Sequence, residues 1–246
     1  MQKNEVHNGK RGGKLSEEKI KKDKENFKSP GYFFEVEIWR MYKRFFKRLI
    51  DIVLALCGLI VLTPVYLAIF IAIRLDSKGS AVFVQKRVGI HKTHFNIYKF
   101  RTMYIDTPKN MPTHMLQGAE SHITRVGKVL RKYSLDELMQ IVNILKGDMS
   151  IIGPRPALWN QYDLIEERDK YGANDVRPGL TGYAQINGRD ELPIDEKARL
   201  DGEYVQKMSF WFDVKMFFGT ILSVVKHDGV VEGGADDSSD ERVAYK

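Results

Sequence analysis

Leu49–Ile73, LIDIVLALCGLIVLTPVYLAIFIAI, holds 25 residues and a single charge, Asp51. As a straight helix it would measure roughly 37 Å, at 1.5 Å per residue. That exceeds a hydrocarbon core of about 30 Å. Two features complicate a simple crossing. Pro64 stands mid-segment, where it removes a backbone hydrogen bond and kinks a helix, and Thr63 beside it can help satisfy the freed carbonyl. Bases also flank both ends, Lys47 and Arg48 before, Arg74 and Lys78 after. A spanning helix shows a positive-inside asymmetry. The residues alone leave two readings open. One is a plain transmembrane helix with a tolerated proline. The other is a helix that enters, bends at Pro64 and returns to the same side.

Upstream, residues 1–31 are polar and charged and cannot bury enough apolar surface to fold alone, so they are expected to form a disordered basic tail. Residues 32–48 mix Phe33, Phe34, Trp39, Tyr42, Phe45 and Phe46 with bases, a composition suited to the membrane–water interface. Residues 1–48 hold 14 basic and 7 acidic residues, which accounts for the whole net charge of +7. A basic block beside an apolar segment suits an anionic membrane surface, and no nucleic-acid recognition motif accompanies it. The lone Cys57 excludes a disulfide framework. His91 and His94, in a turn, read as solvated loop histidines rather than metal ligands.

Downstream, residues 81–104 read as a β-hairpin and 105–120 as an irregular loop. Helices are expected at about 122–132, 135–146, 158–171, 194–207 and 210–226. The last carries Phe210, Trp211, Phe212, Phe217 and Phe218, which fits either a membrane-surface helix or a buried one. The expected fold is α+β and mostly helical. It comprises an interfacial segment with a membrane helix at 32–76, a cytosolic domain with a small hairpin at 77–232, and a flexible tail at 233–246.

The candidate chemistry lies in RKYSLDELMQIVNILKGDMSIIGPRP, residues 131–156. Leu138, Ile141, Val142 and Leu145 repeat at helical spacing. Ser134 reads as the N-cap, with Asp136 and Glu137 in the first turn. One reading is purely structural: Ser134-x-x-Glu137 forms a capping box. The other starts from the surrounding bases. Arg131 lies one turn upstream, and Arg155 is held between Pro154 and Pro156. Arg177 and Arg189 stand in VRPGLTGYAQINGR, and Lys99 and Arg101 end the hairpin. Arginines in rigid loops match the oxygens of phosphate. A carboxylate held among them could attack phosphorus.

These motifs resemble the monotopic polyprenyl-phosphate phosphoglycosyl transferases, the bacterial sugar transferase family. The likeness covers about residues 43–232 in register: KRLIDIVLAL, the proline-broken helix, VFVQKRVG, IYKFRTM, SLDELMQIVNILKGDMSIIGPRP, VRPGLTGYAQINGR and SFWFDVK. The resemblance implies a re-entrant helix in one leaflet of the bacterial inner membrane, broken at Thr63 and Pro64, with the domain on the cytosolic face. It implies that Asp136 attacks the β-phosphate of a UDP-sugar, releases UMP and holds the phosphosugar, which polyprenyl phosphate then takes. It further implies Glu137 as partner in a dyad and Mg2+ at that dyad. Arg131, Arg155 and Arg189 match phosphate- or nucleotide-contacting positions, and Asp213 matches a further family acid. Lys99, Arg101 and Arg177 fall in matched motifs. A homodimer is left open. The chain is expected to be a small, core-type member, and Tyr183 departs from the family pattern where Trp is common. The competing readings are a membrane-attached nucleotidyltransferase and a non-catalytic scaffold that binds anionic lipid or polyprenyl phosphate.

Overall fold

The computed structural model describes residues 40–108, 118–188 and 192–226. The expected tails at 1–31 and 233–246 lie outside them. The chain divides after Phe46 into two compact units. In the first, Tyr42–Phe46 forms a π-helical turn, with the Phe45 and Phe46 rings edge to face at 5.7 Å. The second begins at Lys47 and includes the apolar helix.

The chain is mostly helical, with one long apolar helix and a small antiparallel hairpin. Helix α1, Lys47–Asp76, is assigned as helix through Pro64 without a break. The Thr63 hydroxyl donates to Leu59 O at 2.8 Å. That carbonyl lies four residues before Thr63, whereas the acceptor freed by Pro64 belongs to Ile60. The hydroxyl thus bonds back along its own turn, a contact that bends helices slightly. One face of α1 packs on the domain, buried toward its two ends and half-buried between them. Ala55 and Leu59 pack with Ile97, Ile141, Ile144 and Met149, while Ile69 and Ile73 pack with Ala81, Phe100 and Leu130. The opposite face exposes Leu56, Ile60, Val61, Leu67, Phe70, Ile71 and Leu75. An apolar stripe this long is far more than a soluble surface carries and marks contact with lipid or another apolar partner.

Polar contacts tie both ends of α1 to the domain. At the start, Arg48 donates to Ile144 O at 2.6 Å and Leu145 O at 3.1 Å. Asp51, the single charge of the apolar segment, accepts from Ile151 N at 3.0 Å. At the far end, Asp76 accepts from Val126 N at 3.0 Å.

Strands β1 (Val82–Val88) and β2 (His94–Phe100) pair antiparallel, with Phe83 opposite Lys99. Their connection carries His91 and Lys92 at φ 53° and 59°, left-handed values that squeeze the turn. His91 Nδ1 lies 3.2 Å from Asp175 Oδ1 in solvent, consistent with a loop histidine. Helix α2, Arg125–Lys132, starts on Thr124, whose hydroxyl accepts from Gly127 N at 2.9 Å. A 3-10 turn at Leu135–Met139 leads into α3, Gln140–Lys146. Then come β3 (Ser150–Ile152), α4 (Tyr162–Asp169), β4 (Gly179–Thr181), α5 (Tyr183–Ile186), α6 (Ile194–Lys207) and α7 (Phe210–Lys226).

Strands β3 and β4 pair in parallel, a contact absent from the expected elements. The loop GPRP leaves β3, and Gly153 N donates to Thr181 O while Gly179 N donates to Pro154 O, both at 2.8 Å. A Cβ on Gly179 or Gly182 would strike the backbone of Gly153. The glycines of RPGLTG therefore serve the close approach of two backbones. Helix α7 buries Met216 and exposes Phe210, Trp211, Phe217, Phe218, Ile221 and Leu222, so its outer face resembles that of α1. Tyr183, at the departure from the family pattern, packs edge to face on Phe212 at 5.5 Å and joins α5 to α7.

Candidate active site

The turn that carries Asp136 and Glu137 is not built by a capping box. Ser134 adopts a left-handed conformation, φ 54° and ψ 23°, and its side chain caps nothing. An N-cap residue needs extended backbone to bring its hydroxyl over the first amides, and a left-handed residue points it elsewhere. The first turn is correspondingly 3-10. The Glu137 carboxylate, free of any capping duty, turns to bases from two other elements. Lys99 Nζ of β2 lies 2.7 Å from Oε1, and the Arg155 guanidinium of the GPRP loop donates to Oε1 at 2.8 Å. Burial works against the Glu137 anion, but the charges of Arg155 and Lys99 and their hydrogen bonds outweigh it and hold the carboxyl well below its ordinary value.

Asp136 is placed differently. Its Oδ2 lies 3.9 Å from Lys99 Nζ, and no hydrogen bond to its carboxylate is made among the described residues. Burial pushes its carboxyl up, the nearby Lys99 offsets part of this, and the negative Glu137 adds to it. Asp136 and Arg131 open onto a cleft of about 280 Å³, walled by β1, Lys99, residues 101–105, Thr107 and Pro108. Arg131 lines the same cleft, and its charge also favours the Asp136 anion. The pair of carboxylates thus divides its duties. Glu137 is locked by two cations, whereas Asp136 is undercompensated beside a cavity.

Asn143 holds this arrangement in register, and sequence reasoning missed it. Fully buried, it accepts from Tyr98 N at 3.0 Å and donates to Asn96 O at 2.7 Å. It clamps α3 to the strand that carries Lys99. The signal in the sequence was an amide among the apolar residues of α3, whose buried side also carries Gln140.

The remaining candidates lie elsewhere. Arg101 borders the cleft, but its guanidinium donates to Lys78 O and Ser77 O and so closes the loop after α1. Arg177 donates to Gly147 O at 3.0 Å, beyond the end of α3 opposite to the carboxylates. Asp213 pairs with Lys47 at 2.6 Å and accepts from the buried Tyr204 hydroxyl at 2.9 Å, which joins the starts of α1 and α7. Arg189 lies outside the described residues.

A long apolar helix with one face open and the other packed on a domain is consistent with a membrane-associated protein, and a cleft of carboxylates and bases lies on that domain. The chain belongs to the bacterial sugar transferase family, whose model matches residues 42–227. It is 38% identical over 184 residues to the uncharacterized sugar transferase EpsL of Bacillus subtilis, covering 75% of this chain and 89% of that one. It is 39% identical over 187 residues to the UDP-glucose:undecaprenyl-phosphate glucose-1-phosphate transferase of Escherichia coli, covering 73% of this chain and 40% of that one. It is 34% identical over 201 residues to the undecaprenyl-phosphate galactose phosphotransferase of Salmonella typhimurium, covering 76% and 42%. The chain thus spans well under half the length of these last two relatives.

Proposed function

We propose that this chain transfers a sugar 1-phosphate from a UDP-sugar to undecaprenyl phosphate, with release of UMP, as an early membrane step of glycan assembly. The supporting observation is the division between the carboxylates: Asp136 faces a cleft with Arg131 and Lys99, while Glu137 is tied to Lys99 and Arg155. The names of the Escherichia coli and Salmonella relatives support the same reaction.

In this reading an Asp136 oxygen attacks the β-phosphorus of the donor. The bond from that phosphorus to the bridging oxygen breaks, and UMP leaves with the electron pair. The aspartyl phosphosugar then yields to an oxygen of the lipid phosphate, which restores the free carboxylate. Arg131 and Lys99 orient the donor and stabilise charge gathering on the phosphoryl oxygens. Glu137 keeps Lys99 and Arg155 at fixed positions.

The donor set admits Mg2+ only in part. Asp136, mostly buried and without a hydrogen-bonding partner among the described residues, suits a hard cation that takes its other oxygens from phosphate and water. Glu137 suits it less, because its oxygens already meet Lys99 and Arg155. No group of three His, Cys, Asp or Glu side chains able to hold a metal occurs among the described residues. When bound, the ion would supply neutralisation of phosphate charge.

The test is release of UMP by the full chain in nanodiscs, across a panel of UDP-sugars with and without undecaprenyl phosphate. UMP should appear with at least one donor, in step with lipid-linked product. Pyrophosphate instead of UMP would indicate nucleotidyl transfer. Lipid binding without release of either would leave a scaffold.

The same proposal puts both ends of α1 at the cytosolic face, as a re-entrant helix. Polar contacts tie each end to one domain, and that domain carries the charged cleft. Cysteines placed at Arg44 and Lys78, in a Cys57→Ser background, should both react from the cytosolic side only. Labelling from opposite sides would mean a spanning helix. Pro64→Leu should shift the population toward spanning, because it restores the missing backbone hydrogen bond.

A further inference from the structure

The carbonyl of Leu138, next to Glu137, accepts a hydrogen bond from the Tyr66 hydroxyl at 2.7 Å. Tyr66 belongs to α1, two residues beyond Pro64. Its ring lies against Phe100, centroids 5.7 Å apart, and Phe100 directly follows Lys99. One side chain of the membrane helix therefore touches the neighbours of both Glu137 and its cation. We propose that Tyr66 is a positioning residue, which holds the Leu135–Met139 turn in the geometry that aims Asp136 into the cleft and Glu137 at Lys99 and Arg155. The inference rests on the transfer reading above and adds a residue to it.

The turn needs an outside hold. A 3-10 helix has poorer hydrogen-bond geometry than an α-helix and rarely persists without support. Here it starts from a left-handed serine in a sequence that could have formed a capping box and a regular α-helix. The difference bears on the chemistry. Successive side chains of a 3-10 turn stand roughly 120° apart, against about 100° in an α-helix. The wider angle sends adjacent carboxylates to different partners. Leu135, Leu138 and Met139 pack in the same apolar cluster as Tyr66, so ring and hydroxyl grip one element. Release of the hydroxyl leaves the packing in place but frees the turn to relax.

Tyr66→Phe isolates the hydroxyl and keeps the ring. In nanodiscs its kcat for UMP release should fall roughly tenfold while KM for the UDP-sugar stays within about twofold, the pattern of a misplaced reacting group. Its thermal midpoint should stay near wild type, and backbone amides of residues 137–142 should exchange hydrogen faster. Phe100→Leu provides the contrast: it loosens the ring contact and should lower the thermal midpoint without that selective loss in kcat. Unchanged kcat in Tyr66→Phe would overturn the proposal, as would a rise in KM alone. So would an equal kcat loss in Phe100→Leu, which would reduce Tyr66 to ordinary packing. If wild type released no UMP from any donor, the transfer reading would fall on its own. The exchange rates would still report whether Tyr66 holds the turn.

Discussion

Asp136→Asn protein should fold, insert and bind donor, yet release UMP at least ~1000-fold more slowly than wild type, as loss of a nucleophile dictates. The change keeps the size and shape of the side chain and removes the charge that the proposed attack on phosphorus requires. No second group stands ready. Glu137, the other carboxylate of the turn, is held by Lys99 and Arg155. Radiolabelled donor without undecaprenyl phosphate should leave label on wild-type protein and none on the variant, and hydroxylamine should release it. Stability should move the other way. Burial raises the Asp136 carboxyl, so between its ordinary and raised values the folded chain binds more protons than the unfolded one. This residue therefore costs stability once pH rises through that window. Asp136→Asn removes the cost, and its thermal midpoint at pH 7 should equal or exceed wild type. Normal turnover in a folded Asp136→Asn protein would end this mechanism.

The second large effect is expected at Lys99. It lies at ion-pair distance from both carboxylates, 2.7 Å from Glu137 and 3.9 Å from Asp136. Lys99→Met keeps the length of the stem, leaves Glu137 to Arg155 and takes from Asp136 the cation 3.9 Å away. Turnover should drop about 100-fold or more if the cleft takes the donor as proposed, since a preorganised charge beside the transferred phosphoryl group is then lost. Folding should weaken by about 2 kcal/mol at neutral pH, the scale for a charged group left short of a partner. The pH dependence identifies the cause. Glu137 sits below its ordinary value in the folded chain, so its contribution to stability is present above that ordinary value and is lost as pH falls through the folded one. Lys99→Met reduces that contribution. The gap between variant and wild type should be widest at pH 7 and narrow toward pH 4, where the carboxyls of the variant protonate. A gap independent of pH would show that Lys99 acts by packing. Lys99→Arg should retain most of the stability and less of the turnover, because the planar fork cannot reach both carboxylates from one point.

The local elements are legible in the sequence. The apolar helix announces itself by length and lack of charge, and the hairpin by its β-branched and aromatic runs. The helices at Ile194–Lys207 and Phe210–Lys226 lie where the periodicity puts them. Each is decided by side chains within a few residues of one another, which a linear pattern records. The sequence also determined the inventory of the site: two adjacent acids, and bases in loops constrained by proline and glycine. Partners are another matter. Asp51, the one charge of the apolar segment, meets the Ile151 amide one hundred residues later. Arg101 and Arg177 belong to motifs like that of Arg155, but they satisfy backbone carbonyls while Arg155 reaches Glu137. Asp213 joins two helices instead of entering the cleft. The dyad turn is the sharpest case. Local rules favour a capped α-helix after Ser134, and the structure has a left-handed serine and a 3-10 turn. Tertiary contacts decide this, because the ion pairs at Glu137 and the hydrogen bond from Tyr66 outweigh one side-chain cap. Which base meets which acid depends on how distant segments pack. Long flexible side chains can reach several partners, and only the packed chain selects one.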